Sequence, residues 1–185
     1  MEASRSQLMT SWSSVGIALC ALMLAFYSSC QTRKTTRLSA RPYIEISFYF
    51  NDQGAGWTYR NFGLGPAVVN SLEVSFDGQR LRSWDELARQ LGLGSGPIKF
   101  SMEGPGIVAP PYKTGDITEM FWVSPADRDK LVSNWSRVRI STCYCSLYNE
   151  CWKSFSSKEQ PDLAPQDVRS CKVIPAEERF GVEVR

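Results

Sequence analysis

The sequence contains no histidine. That excludes imidazole-activated nucleophiles, imidazole acid–base catalysis and any metal site that needs an imidazole ligand. No C-x-x-C pair occurs either, so the spacing common to redox motifs and zinc knuckles is missing. The glycine-rich run Gly92-Leu93-Gly94-Ser95-Gly96-Pro97 resembles a phosphate cradle but lacks the Lys-Ser/Thr pair of a P-loop, and it follows a helical pattern rather than a strand. It reads as a connecting loop. No internal repeat or low-complexity tract is visible.

Charge is scarce in two ways. From Ser6 to Thr32 there is none at all. From Pro42 onward 16 basic residues face 18 acidic ones, a net of −2, so that part has no electrostatic footprint for nucleic acid. The basic excess is confined to Arg33, Lys34, Arg37 and Arg41, beside the uncharged stretch, where lipid headgroups are the expected counter-charge.

Within the uncharged stretch Val15–Tyr27 is almost continuously apolar, and Trp12 and Tyr27 stand where interfacial aromatics would sit. A helix rises about 1.5 Å per residue against a hydrocarbon core of about 30 Å, so a span over residues 9–29 is expected to cross a bilayer. The chain then divides into an N-terminal tail (1–8), a transmembrane anchor or uncleaved signal (9–29), a basic linker (30–41) and one domain (42–185). Two other readings stand beside the anchor. One is a cleaved secretory signal. The other is a lipoprotein signal ending at Tyr27-Ser28-Ser29-Cys30, with Cys30 lipidated. The basic flank places the domain in the cytoplasm by the positive-inside rule. The cysteines favour the opposite side, periplasmic or extracellular, and are given the greater weight.

The domain reads as mainly β, an Ig-like β-sandwich with one or two short helices. Strands are expected at 43–50, 57–62, 68–76, 97–103, 116–123, 137–146 and 151–155, with two more at 168–174 and 179–184. Asn51–Gly56 is turn chemistry. In 68–76, Val68, Leu72, Val74 and Phe76 are expected to face inward, which leaves Asn70 on the inward face without explanation. Ser83 caps a helix over 84–91 with Glu86 at the capping-box position, and Gly92 stops it. Ser124 is expected to cap a second helix over 124–134, with Pro125 at its first position and Asp127 in its first turn.

Four of the six cysteines, Cys143, Cys145, Cys151 and Cys171, fall late in the domain. Along a strand, residues i and i+2 share a face, so Cys143 and Cys145 lie side by side and Cys151 returns on the partner strand. Disulfides are the expected state, and their compartment is oxidising. Three pairings exist and sequence alone does not choose among them. Cross-strand placement favours Cys145–Cys151 with Cys143–Cys171, because Cys143–Cys145 would strain a regular strand. A four-cysteine zinc site has atypical spacing here, and no metal or other cofactor is expected.

Other candidates carry less. Asp116, Glu119 and Glu103 are carboxylates without fixed separation. Tyr59, Trp122, Tyr144 and Trp152 are candidate ligand-cleft aromatics, with core packing as the competing role. Asn134-Trp135-Ser136 fits a glycosylation acceptor. Asn61, Gly63, Gly65 and Pro66 form a structural turn, in which the glycines permit positive φ and Asn61 can bond the turn backbone.

Thr36–Tyr43, Tyr59–Val69 with its N-x-G-x-G-P-A turn, and the segments Cys143-Tyr144-Cys145-Ser146 and Cys151-Trp152 resemble a group of uncharacterised bacterial single-span envelope proteins with a β-sandwich-like domain. The resemblance implies an envelope location and brings no activity or site residues. The expected function is therefore a membrane-anchored, non-enzymatic envelope protein. Its partners are membrane lipid, through the N-terminal helix, and another envelope protein. The alternative is a β-sandwich binding a small ligand or carbohydrate in an aromatic cleft.

Overall fold

The computed structural model describes residues 2–101, 106–113, 118–156, 164–172, 174–175 and 178–181. The chain divides into two units, Met1–Ser39 and Ala40–Arg185. The first is a single helix, α1 (Glu2–Ser39). Its segment Val15–Ser39 has a mean hydropathy of 1.5 and is long and apolar enough to span a membrane, a criterion that a signal sequence also meets. The expected linker at 30–41 is helical as far as Ser39. From Ile17 to Arg41 no glycine or proline interrupts the backbone ladder, and the threonine hydroxyls bond back to carbonyls one turn earlier: Thr32 to Ser28, Thr35 to Gln31 and Thr36 to Thr32. Arg37 lies in the last turn, where a cation complements the helix dipole.

The second unit is mainly β. In chain order its elements are β1 (Ile44–Asn51), β2 (Gly54–Asn61), β3 (Ala67–Phe76), β4 (Gln79–Leu81), α2 (Trp84–Leu91), β5 (Ile98–Phe100), β6 (Val108–Ala109), β7 (Thr118–Val123), α3 (Pro125–Asn134), β8 (Val138–Cys145), β9 (Cys151–Ser156) and β10 (Gln166–Val168). A 3-10 turn, Trp135–Arg137, joins α3 to β8. Two antiparallel sheets result. The first has the order β1-β2-β7-β5; the second runs β10-β9-β8-β3-β4, with β6 paired to β3. Their facing sides form one core around Trp57, Phe121, Tyr144, Ile44, Val74 and Ile140, with Trp84 and Leu87 of α2 and Leu131 of α3 packed in.

Local sequence explains most of these elements and corrects several expectations. The β1–β2 turn is only Asp52-Gln53, and Gly54–Gly56 belong to the strand. A side chain at Gly56 would meet the Phe121 carbonyl at 2.0 Å, so glycine is what lets β7 pair closely. In β3 the pairing with β8 shifts register between Val69 and Ser71. The bulge reverses the alternation. Ala67 and Val69 are buried before it and Leu72, Val74 and Phe76 after it; Ser71, just past the bulge, is buried opposite Cys143, while Val68 and Asn70 are half-buried. Val68 therefore does not face inward, and Asn70 is the residue at the slip.

Asp77 and Gly78, both at positive φ, make a two-residue hairpin turn into β4, a strand not anticipated. The short β6 was not anticipated either. Ser83 accepts the Glu86 N–H, Glu86 reaches back to the Arg82 N–H, and Gly92 closes α2 in the left-handed region. Ser124 precedes α3 but makes no side-chain cap; its hydroxyl lies against Gly96, where a Cβ would meet it at 2.0 Å. Among the described residues of the C-terminal segment only Gln166–Val168 is a strand, and Glu178–Gly181 is turn-like; residues 173 and 182–184 of the two expected strands lie outside the described residues. Glu103 and Asp116 lie outside the described residues.

Candidate functional site

The N-x-G-x-G-P-A turn is a hydrogen-bonding hub. Asn61, at the end of β2, is buried and uses its whole amide. Its Oδ1 accepts the N–H groups of Tyr43 (2.9 Å) and Gly63 (3.0 Å), and its Nδ2 donates to the carbonyls of Gly65 (2.9 Å) and Ala109 (3.0 Å). One side chain thus ties the entry to β1, the turn and β6. Neither Gly63 nor Gly65 has positive φ, contrary to the sequence reading. They are glycine because residues 40–43 cross them: a Cβ would lie 2.4 Å from the Arg41 carbonyl at Gly63 and 2.0 Å from the Ala40 carbonyl at Gly65. Pro66 then leads into β3.

The candidate aromatics do not share a cleft. Tyr144 and Trp152 are buried in the core with ring centroids 6.1 Å apart. The Tyr144 hydroxyl accepts the Ile44 N–H at 3.1 Å and lies 3.3 Å from Ser154 Oγ, which donates to the Ile44 carbonyl at 2.6 Å. It is a pin between the two sheets. Burial pushes its pKa up against the opposing pull of these hydrogen bonds. Tyr59 packs half-buried against the core. Only Trp122 points outward, stacked on Tyr49 at 6.2 Å across Gly56, on the outer face of the first sheet. Asn134 spends both ends of its amide on Lys130 and Arg137.

The glycine-rich loop is a genuine anion nest, but the anion is internal. The N–H groups of Gly94, Ser95 and Gly96 converge on Asp127 Oδ2 at 2.9, 2.8 and 3.2 Å, and Lys130 approaches Oδ1 at 3.3 Å. Burial raises the Asp127 pKa, yet the hydrogen bonds from Gly94, Lys130 and Ser95 outweigh it and hold the carboxyl below its ordinary value. The loop is anchored to α3 and is not open to a phosphate.

The sulfurs gather on the outer face of the second sheet. Cys143 bonds Cys171 and Cys145 bonds Cys151, its direct cross-strand neighbour. Cys145 Sγ and Cys171 Sγ are 3.8 Å apart, and Asn70 Nδ2 donates to Cys145 Sγ. Cys20 and Cys30 are exposed on α1 with free thiols.

Beside the sulfurs, the same face carries a groove of about 420 Å³ lined by Glu73, Arg80, Arg139, Ser141, Phe155 and Gln166, among others. Antiparallel register brings these together: Glu73 faces Ser141, Ser141 faces Phe155, and Ser75 faces both Arg139 and Arg80. Glu73 receives Lys153 at 3.0 Å, Ser141 at 3.3 Å and Arg80 at 4.0 Å. Partial burial raises its pKa, but Lys153, then Arg80, reverse the shift and keep it ionised. Two cations, Lys153 and Arg80, thus hold one committed carboxylate, Arg80 pairing also with Glu178 at 3.8 Å, and Arg139 lines the same groove. Sequence reasoning missed it because its members come from five separate strands and only pairing aligns them; Asp127 and Asn70 were noted in the sequence, but not their roles at the glycine-rich loop and at Cys145. The alternation of charge at Glu73, Arg139 and Lys153 within otherwise apolar strands was the available signal. Compared with known proteins, the chain matches no family model, no curated protein and no solved structure.

Proposed function

We propose that this chain is a membrane-anchored, non-enzymatic envelope protein. In this reading its domain, an Ig-like sandwich on the periplasmic or extracellular side, binds another protein through the outer groove of the second sheet. The observation that carries the proposal is the groove's chemistry. Arg80 and Lys153 hold the ionised carboxylate of Glu73, which is unsuited to act as an acid at neutral pH, and Arg139 lines the same groove. Phe155 supplies an apolar floor. Such a surface suits an extended segment that carries an acidic side chain next to an apolar one. Two disulfides in the domain favour an oxidising compartment, in keeping with an anchor at α1. The resemblance of the Asn61–Ala67 turn to bacterial envelope proteins points the same way.

The test is photo-crosslinking in cells, with a benzophenone side chain placed at Ser75 or Phe155 in the groove and at Tyr49 on the opposite sheet. A discrete adduct is expected from the groove positions only, and Arg139→Glu is expected to abolish it. Absence of adducts at Ser75 and Phe155, or equal adducts at Tyr49, would count against the groove. A C-terminal alkaline phosphatase fusion tests the side of the membrane: an active fusion supports the proposal, and an inactive one overturns the assignment of compartment.

A second reading has one observation behind it. Tyr49, about half exposed, and Trp122 form a stacked pair on the outer face of the first sheet, a platform of the kind on which sugar rings lie. Quenching or a shift of tryptophan fluorescence on titration with oligosaccharides, lost in Trp122→Ala, would favour it over the protein partner.

A further inference from the structure

The two disulfides lie side by side. Their sulfurs form one cluster, in which a 3.8 Å contact between Cys145 and Cys171 links the Cys145–Cys151 bond to the Cys143–Cys171 bond. That contact is close to van der Waals distance, but Cys171 Sγ lies to the side of the Cys145–Cys151 bond, so its side chain has to turn, once freed from Cys143, to come in line with the bond it breaks. Three of the four, those of Cys145, Cys151 and Cys171, lie within 4.8 Å of one another. Cys171 is the most accessible of the set, being half-buried where Cys143, Cys145 and Cys151 are buried. Asn70, set at the β3 bulge, aims its amide at Cys145 Sγ from 2.9 Å and draws electron density from that sulfur.

We propose that this cluster works as one thiol–disulfide relay, in which opening either bond converts the pair to a single Cys145–Cys171 bond with thiols at Cys143 and Cys151. A dithiol reductant reaches the Cys143–Cys171 bond first, gives up two electrons and departs as its own disulfide. The Cys171 thiolate then attacks Cys145 Sγ. The new Cys145–Cys171 bond forms, the Cys145–Cys151 bond breaks, and Cys151 leaves as thiolate and takes up a proton. This second step is an exchange with no net oxidation or reduction. Opening the Cys145–Cys151 bond first gives the same product, through attack of Cys145 on Cys171 and departure of Cys143.

The consequence concerns the C-terminal strap. β10 pairs only three residues with β9, and Cys171 ties the chain beyond it to β8. In the half-reduced state the tie passes from Cys143 to Cys145 instead of being lost, so the strap stays on the sheet until both bonds have been reduced. This inference is independent of what the groove binds.

The experiment uses the full-length protein in detergent, treated with one equivalent of a phosphine reductant and then with a maleimide. Chymotryptic cleavage at Tyr144 and Tyr148 followed by trypsin at Lys153 and Arg169 separates the four cysteines for mass spectrometry. Beside Cys20 and Cys30, whose free thiols are labelled in every species, the expected half-reduced species carries maleimide on Cys143 and Cys151 and a Cys145–Cys171 cross-link. Label on Cys143 with Cys171, or on Cys145 with Cys151, overturns the relay, as does a mixture of fully reduced and fully oxidised chains with nothing between. The double variant Cys143→Ser/Cys151→Ser provides a second arm. It is expected to form the Cys145–Cys171 bond on oxidation, and two maleimide-reactive thiols at those positions would refute the proposal.

Discussion

Replacing Asp127 by asparagine separates charge from shape at the best-defined internal contact of the domain. The side chain is fully buried, and one oxygen takes three backbone N–H groups at 2.8–3.2 Å while the other faces Lys130. Asparagine retains an acceptor of the same size but no charge. Hydrogen bonds to charged groups contribute about 1.5–3 kcal/mol each, against about 0.5–1.5 for neutral ones. Three donors sharing one oxygen are not additive, so Asp127→Asn is expected to cost about 1–3 kcal/mol. Asp127→Ala orphans all three donors and is expected to cost about 3–5 kcal/mol, a large share of the roughly 5–15 kcal/mol typical of a domain. The pH dependence follows from the direction of the shift. The folded pKa of Asp127 is depressed, so its stabilisation is fully present above the unfolded value of about 3.9 and fades as pH falls through the lower folded value. The assay is urea unfolding of the detergent-solubilised chain, followed by tryptophan fluorescence from pH 7 to pH 3. The gap between wild type and Asp127→Asn should be constant from pH 7 to about pH 5 and should narrow below about pH 4. Equal stability at pH 7, or a gap that persists unchanged in acid, would refute the argument.

Two further substitutions test the pins between distant segments. Asn61→Ala leaves two N–H groups and two carbonyls without partners and is expected to cost about 2–4 kcal/mol in the same assay; a loss below about 1 kcal/mol would mean that water replaces the amide. Tyr144→Phe keeps the ring in the core but strips the Ile44 N–H of its acceptor, for an expected loss of about 1–2 kcal/mol, read as a lower urea midpoint at unchanged slope.

Much of this fold was legible before any coordinates, and the boundary is physical. Strand and helix cores with strong periodicity, such as Ile44–Asn51, Val138–Cys145 and Trp84–Leu91, depend on residues within one or two turns of each other, so their patterns can be read locally. What escaped depends on pairing. The reversal of faces in β3 comes from a slip against β8 at Asn70; the polar Asn70 on the expected inward face marked the place, but only the pairing shows the slip. The glycines at 63 and 65 look like turn glycines because sequence shows their neighbours in the chain. The neighbours that matter are residues 40–43, which cross them in space.

The same distinction bears on where function resides. Two features that stood out in the sequence, the glycine-rich loop and the N-x-G-x-G-P-A turn, owe their chemistry to backbone groups in need of partners. In both cases the fold supplies the partner, Asp127 for the loop and Asn61 for the turn, and a site already filled from within has nothing left to offer a ligand. The two conspicuous rings Tyr144 and Trp152 go the same way, into the core. What remains accessible is a set of charged residues unremarkable one by one, gathered by antiparallel register on the outer face of the second sheet. A contact surface assembled by pairing alone is specified by where the strands lie rather than by any run of residues. On the proposed function, the groove rather than a motif is therefore where crosslinking should find a partner.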